Sequence, residues 1–181
     1  MILIIIFSCL VIGIWMGYFV RHGSASTGFF KINSKTLFKL WLGLLVTGVV
    51  VTSLITFRVN YLIETSSSSN ETVLRFRDWF NLSQFSVGFF FLPFLFISNL
   101  YSITVRQIEY VMYLLTFCFG ALFSYRNSKL AQRMAEHVHS SLGDSSFNIS
   151  FIADSPIWYI SILGFLVLFN ALAVAWGLKK W

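Results

Sequence analysis

The stretch Leu82–Tyr125, LSQFSVGFFFLPFLFISNLYSITVRQIEYVMYLLTFCFGALFSY, carries the main structural decision in this chain. It stays largely apolar for 44 residues and is broken only by Arg106–Gln107–Ile108–Glu109. As one helix it would extend about 66 Å at 1.5 Å per residue, roughly twice the ~30 Å apolar thickness of a bilayer. Two helices joined by a tight turn at 106–109 therefore fit better. That turn holds neither Gly nor Pro, the usual punctuation. The alternative is a single span running on into a long helix outside the membrane. Pro93 removes a backbone donor and frees the carbonyl near Phe89, so a kink is expected there.

Three further apolar stretches flank this one: Met1–Val20, Leu40–Phe57 and Ile157–Leu178. About 20 apolar residues suffice to cross a bilayer as a helix. The expectation is an all-α, polytopic transmembrane helical bundle in one domain, with spans near 1–20, 40–57, 83–105, 108–125 and 157–178. Five spans are expected, with four as the alternative. Ser155 followed by Pro156 is a capping hydroxyl ahead of a first-position proline, which marks the start of the last helix. Asn81 with Gln84 marks the start of the third. Ser66–Ser69 reads as a flexible tip between Val59 and Phe80. After Arg126, the residues Leu130, Met134 and Val138 recur every four positions among Lys129, Gln132, Arg133 and Glu136. That stripe predicts a short amphipathic helix lying in the head-group region.

Composition agrees with this reading. Apolar residues make up 57% of the 181 and charged residues 11%, against about 25% charged in a typical soluble domain. Too few polar side chains exist to cover a water-facing surface. Trp15, Trp41, Trp79, Trp158 and Trp176 fall near segment ends, where indoles collect at membrane interfaces. The 21 phenylalanines are too many for one core, so several must face lipid or a partner.

The formal net charge is +6. The cations sit beside apolar runs, where the positive-inside bias and anionic head groups account for them, so no nucleic acid is expected as a partner. Arg21, Lys31, Lys35 and Lys39 occupy one connector with no acid, which is assigned to the cytoplasm. Met1–Val20 has no charge ahead of it and reads as an uncleaved anchor with its N-terminus outside. A cleaved leader ending near Ser24–Ser26 is the other possibility. Charge counting leans weakly on this orientation, with seven Lys and Arg inside and six outside. The expected location is a bacterial inner membrane.

Residues that could carry chemistry are few. No charged side chain falls in the interior of a proposed span, which argues against a proton- or ion-coupled pump. Cys9 and Cys118 lie within apolar runs and behave as small hydrophobes, which excludes a dithiol enzyme. His22, His137 and His139 lie outside the spans, where haem axial ligands cannot be placed. On a helix His137 and His139 point about 200° apart, so a shared metal is not expected. No cofactor is expected. Asn99 and Asn170 are the deepest polar groups and read as interhelical hydrogen-bonding partners, or else as the lining of a pathway. Gly13-x-x-x-Gly17 allows close helix approach, and Gly43 with Thr47, Gly48 with Thr52, Gly120 with Ser124 and Ala171 with Ala175 repeat that spacing. Three Asn-x-Ser/Thr triplets start at Asn70, Asn81 and Asn148, as chance produces readily in Ser-rich loops.

Phe147–Asn148 with Ala153–Asp154 resembles part of the signature of lipoprotein signal peptidases. The spacing differs and that family's second aspartate motif is absent, so capping and solvation explain Asp78 and Asp154. The last four spans, with two longer outer loops and the Lys179–Lys180 tail, are similar in layout to the four-span colicin immunity proteins. That likeness is one of topology without a shared motif, and it implies a protective protein. Three functions follow as expectations, none enzymatic: a membrane subunit that anchors or scaffolds partner proteins, a small immunity or defence protein, and an oligomeric channel or solute transporter. The expected partners are the lipid bilayer, further copies of the chain, and other subunits of a membrane complex.

Overall fold

The computed structural model describes residues 2–22, 33–65, 70–142 and 156–179. They form five helices: α1 (Ile2–His22), α2 (Ser34–Thr65), α3 (Asn70–Val105), α4 (Tyr110–Leu142) and α5 (Pro156–Leu178). There is no strand among the described residues.

Side-chain contacts set the direction of each helix. Gly13 lies against Asn170, while Gly17 and Val20 lie against Gly177, so α1 and α5 run parallel. Gly88 faces Ile5, and Met16 packs with Leu100 and Ile103, so α3 runs the same way. Gly48 meets Phe90 and Phe94, whereas Leu37 packs with Leu100 and Ile103, so α2 runs against α3. Ser83 bonds to Asn127 and Ser98 meets Thr116, so α4 also opposes α3. Direction therefore alternates strictly along the chain.

Helix α3 is the centre and touches the other four. In its most apolar stretch 61% of residues are buried, against 22% in α1, α2 and α5. Phe90, Phe94, Phe119 and Phe123 fill the space between α2, α3 and α4, with Phe94 and Phe119 edge to face at 4.9 Å. Phe91 packs instead with Cys9, Leu95, Tyr113 and Leu166 on the α1 and α5 side. Phe7, Phe57, Phe85, Phe89 and Phe165 remain exposed, as their number required.

The break at 106–109 is a helix–turn–helix closed by its own backbone. Gln107 N–H donates to Ser102 C=O at 3.1 Å and Arg106 N–H to Ile103 C=O at 3.2 Å. This paired bonding is a Schellman motif, which places the residue after the helix cap in the left-handed region. Glycine usually occupies that place; here it is Arg106, with φ of 54°. Glu109 starts α4, its carbonyl accepting from Met112 N–H and its N–H donating to Ser102 Oγ at 3.1 Å. Left-handed φ costs a residue with a Cβ roughly 1 kcal/mol. Arg106→Gly is expected to stabilise the fold by about that amount, read as a rise in unfolding midpoint.

Four helices are long and apolar enough to cross a membrane, by length and composition: Leu3–His22, Ser34–Thr65, Asn81–Val105 and Ile157–Leu178. Helix α4 is not among them, because its apolar first half continues without interruption into a polar second half. The short amphipathic helix expected after Arg126 is that second half, and it does not lie free. Leu130, Ala131 and Met134 are buried against Val59 and Ile63 of α2, with Leu62 and Trp79 alongside. An apolar stripe has the same sequence pattern whether lipid or another helix covers it. Arg133 Nη1 also donates to Asn60 Oδ1 at 3.0 Å, tying α4 to α2.

The same packing corrects the expected loop between Val59 and Phe80. Helix α2 runs to Thr65 and α3 begins at Asn70, eleven residues before the anticipated start at Asn81. Ser66–Ser69 lies outside the described residues. Trp41 departs from the interfacial pattern: it is 2% exposed and packs beside Phe94. Trp15, Trp158 and Trp176 are exposed.

Candidate functional site: a polar network joining four helices

Asn170 and Asn99, 71 residues apart in sequence, meet in the bundle with no exposed surface. Asn99 Nδ2 donates to Asn170 Oδ1 at 2.8 Å. Asn170 Nδ2 donates to Cys9 C=O at 3.1 Å and to Leu166 C=O at 2.9 Å. Tyr113 O–H donates to Asn99 Oδ1 at 2.6 Å. The network thus joins α1, α3, α4 and α5.

Small residues make this meeting possible. A Cβ on Gly13 would stand 3.1 Å from Asn170 Oδ1, so the amide sits where a larger residue would place its side chain. Gly17 and Gly177 bring the α1 and α5 backbones together: a Cβ on Gly17 would be 2.6 Å from Ala173 O, and one on Gly177 2.6 Å from Gly17 O. Close backbones shorten the reach from the Asn170 amide to Cys9 C=O.

Chemically, the arrangement is a clamp. Both N–H groups of Asn170 are used and its oxygen accepts, so the side chain has no donor left for a passing solute. Sequence reasoning identified both asparagines and missed Tyr113, whose polar tip was hidden in the run Tyr110–Phe119.

A second polar cluster lies toward the opposite end of α3. Ser83 Oγ donates to Asn127 Oδ1 at 2.7 Å, and Ser86 Oγ to Ser83 C=O at 2.8 Å. Thr52 and Thr56 on α2 bond back to the carbonyls of Gly48 and Thr52. All five of these side chains are buried. Asn127 was missed because it lies just past the expected end of the fourth span.

The other candidates separate clearly. Gly48 packs on the rings of Phe90 and Phe94, and Gly120 on Phe91 and Leu163. Gly43 has nothing among the described residues within 4 Å of where its Cβ would stand, so it packs against none of the other described helices. Arg21 stacks its guanidinium 4.3 Å above the Trp176 ring. Lys35 and Lys39 are exposed on the first turns of α2, and Lys31 lies outside the described residues. His22 is exposed, its ring tilted against that of Tyr18 at 4.5 Å. His137 and His139 lie on α4, Asp78 is exposed on α3, and Asp154 and Asn148 fall outside the described residues. Among the described residues no three His, Cys, Asp or Glu side chains cluster as a metal site. Cys9 is buried and Cys118 exposed, and both are free thiols.

No protein-family model, curated protein or solved structure matches this chain.

Proposed function

We propose that this protein is a non-enzymatic, multi-pass integral membrane subunit that anchors partner proteins, and that its membrane is a bacterial inner membrane. The observation that carries the reading is an inversion of the soluble pattern. Leu3, Ile4 and Phe7 on α1, Val46, Val50 and Leu54 on α2, and Phe165, Leu168 and Leu172 on α5 are exposed. Meanwhile amides and hydroxyls are buried and spent on joining helices to one another. In water, exposed apolar faces of this extent are an aggregation hazard. In lipid they are solvated, and buried polar groups hold helices together.

In this reading α4 is the fifth span despite its polar second half. It runs against α3, packs on α5 and donates Tyr113 to the clamp. The polar half of α4 then projects beyond the bilayer together with the end of α2 and the start of α3. Arg58, Glu64, Asp78, Arg126, Lys129 and Arg133 are exposed on that projection. A partner outside the membrane would meet those helices. The pathway reading draws no support from Asn99 and Asn170, which bond to each other, to Tyr113 O–H and to the carbonyls of Cys9 and Leu166.

The test is purification of the tagged full chain from its native membrane in gentle detergent. Co-eluting proteins would be identified by mass spectrometry and the particle mass measured. A stoichiometric partner is the expected result. A lone monomer would reject the subunit reading, and a lone homo-oligomer would turn attention to the protective one.

A further inference from the structure

Alternation of the five helices gathers the C-terminal ends of α1, α3 and α5 with the N-terminal ends of α2 and α4. Leu37 packed with Leu100 and Ile103, and Phe38 beside Tyr101 at 6.4 Å, hold the start of α2 next to the end of α3. The described part of this end carries Arg21, Lys35, Lys39, Arg106 and Lys179, with Glu109 as its single acid. At the opposite end Arg58, Arg75, Arg77, Arg126, Lys129 and Arg133 are interspersed with Glu64, Glu71, Asp78 and Glu136.

Some of these cations are explained by the fold. Arg21 lies in the last turn of α1 and on the Trp176 ring, and Lys179 follows the last turn of α5. Both face the negative end of a helix dipole, which favours them. Lys35 and Lys39 have the opposite placement. They stand at the positive end of α2, four residues apart, and the first turn of α2 contains no acid. The helix dipole acts against Lys35 in the first turn, and like-charge repulsion acts against the pair. Arg106 occupies a left-handed position that glycine would fill without strain. Three cations that folding disfavours therefore stand together at one end.

We infer that Lys35, Lys39 and Arg106 bind the phosphates of anionic phospholipid head groups. This rests on the membrane reading above and deepens it. Charge complementarity points to an anion, and depth points to lipid rather than to a protein. The turn at 106–109 is short, and the lysines lie within two turns of the start of α2, so the three cations stay close to the end of the apolar bundle. That is the level of head groups. Exposed Tyr18, Phe38 and Trp176 surround the same end, as aromatic side chains do at a bilayer interface.

The test uses the purified full chain reconstituted in phosphatidylcholine vesicles with spin-labelled phosphatidylglycerol or spin-labelled phosphatidylcholine as probe. The fraction of motionally restricted probe gives the relative association of the two lipids. Phosphatidylglycerol is expected to be preferred about threefold or more at low salt, given the attraction of each basic residue for an anionic surface. The variant Lys35→Gln/Lys39→Gln/Arg106→Gly should lose most of that preference. Its unfolding midpoint should hold or rise, because each change relieves a repulsion or a strain. The control Arg58→Gln/Arg126→Gln/Lys129→Gln should keep the preference. Equal association of both lipids with the native chain overturns the inference. Equal loss in the control does so too, since it would show diffuse attraction. If millimolar inorganic phosphate abolishes the preference at constant ionic strength, the site takes free phosphate and the lipid assignment fails. Failure of the chain to float with phosphatidylcholine vesicles would instead defeat the membrane reading itself.

Discussion

Gly17→Ala is expected to destabilise the bundle by about 3 kcal/mol, toward the upper part of the range for overpacking. The added methyl would need to stand 2.6 Å from Ala173 O, a backbone atom of α5. A flexible side-chain tip could turn away, but a helix carbonyl moves only with its helix. The whole α1–α5 contact must therefore open, and the Asn170 bond to Cys9 C=O lengthens with it. The measure is reversible unfolding in mixed micelles, followed by helical circular dichroism. Gly43→Ala is the matched control. With nothing within 4 Å of the new methyl, only the helix-propensity gain remains, so the variant should be neutral or up to about 1 kcal/mol more stable. A loss at Gly43 comparable to that at Gly17 would mean that α2 packs against another chain there. Equal and small effects at both sites would refute the close α1–α5 approach.

Asn170→Leu is expected to cost about 2–3 kcal/mol. Each hydrogen bond inside a membrane bundle contributes about 0.6 kcal/mol on average and up to about 1.7, and this substitution removes three. The Leu166 carbonyl keeps the backbone bonding of its own helix, so the larger part comes from Asn99 and Cys9. Asn99→Leu should cost a similar amount, since it strands Tyr113 O–H as well as Asn170 Oδ1. The informative variant is the double. With both amides gone neither leaves an unpaired partner in the other, so the combined loss should fall short of the sum by about 1 kcal/mol. Strict additivity would show that the two asparagines act separately.

How far these results were readable in advance differs by residue. The apolar runs, the helix start at Pro156 and the division of Leu82–Tyr125 near Arg106 follow from local chemistry. Asn99 and Asn170 were visible as the deepest polar groups, because an amide in an apolar run has to find a partner. Their being each other's partner was not visible, since nothing at either position encodes a contact across 71 residues. Tyr113 was hidden because an aromatic ring in an apolar run looks like packing until its hydroxyl is placed.

The all-helical chain of long apolar segments was legible from the sequence alone. Hydrophobic run length, charge content and helix caps are properties of neighbouring residues, and neighbours are what a sequence records. Which stripe each helix covers follows instead from how the helices pack together. Gly17 and Gly43 each belong to a small-residue pair at the same spacing, yet one meets a backbone carbonyl and the other meets nothing among the described residues. Leu130 and Met134 carry a pattern suited to a lipid surface, yet Val59 and Ile63 lie against them. Trp41 stands where an interfacial indole would, yet the bundle closes over it. In each case the residue's chemistry is the same for either outcome, and the outcome rests on which helix arrives from elsewhere in the chain.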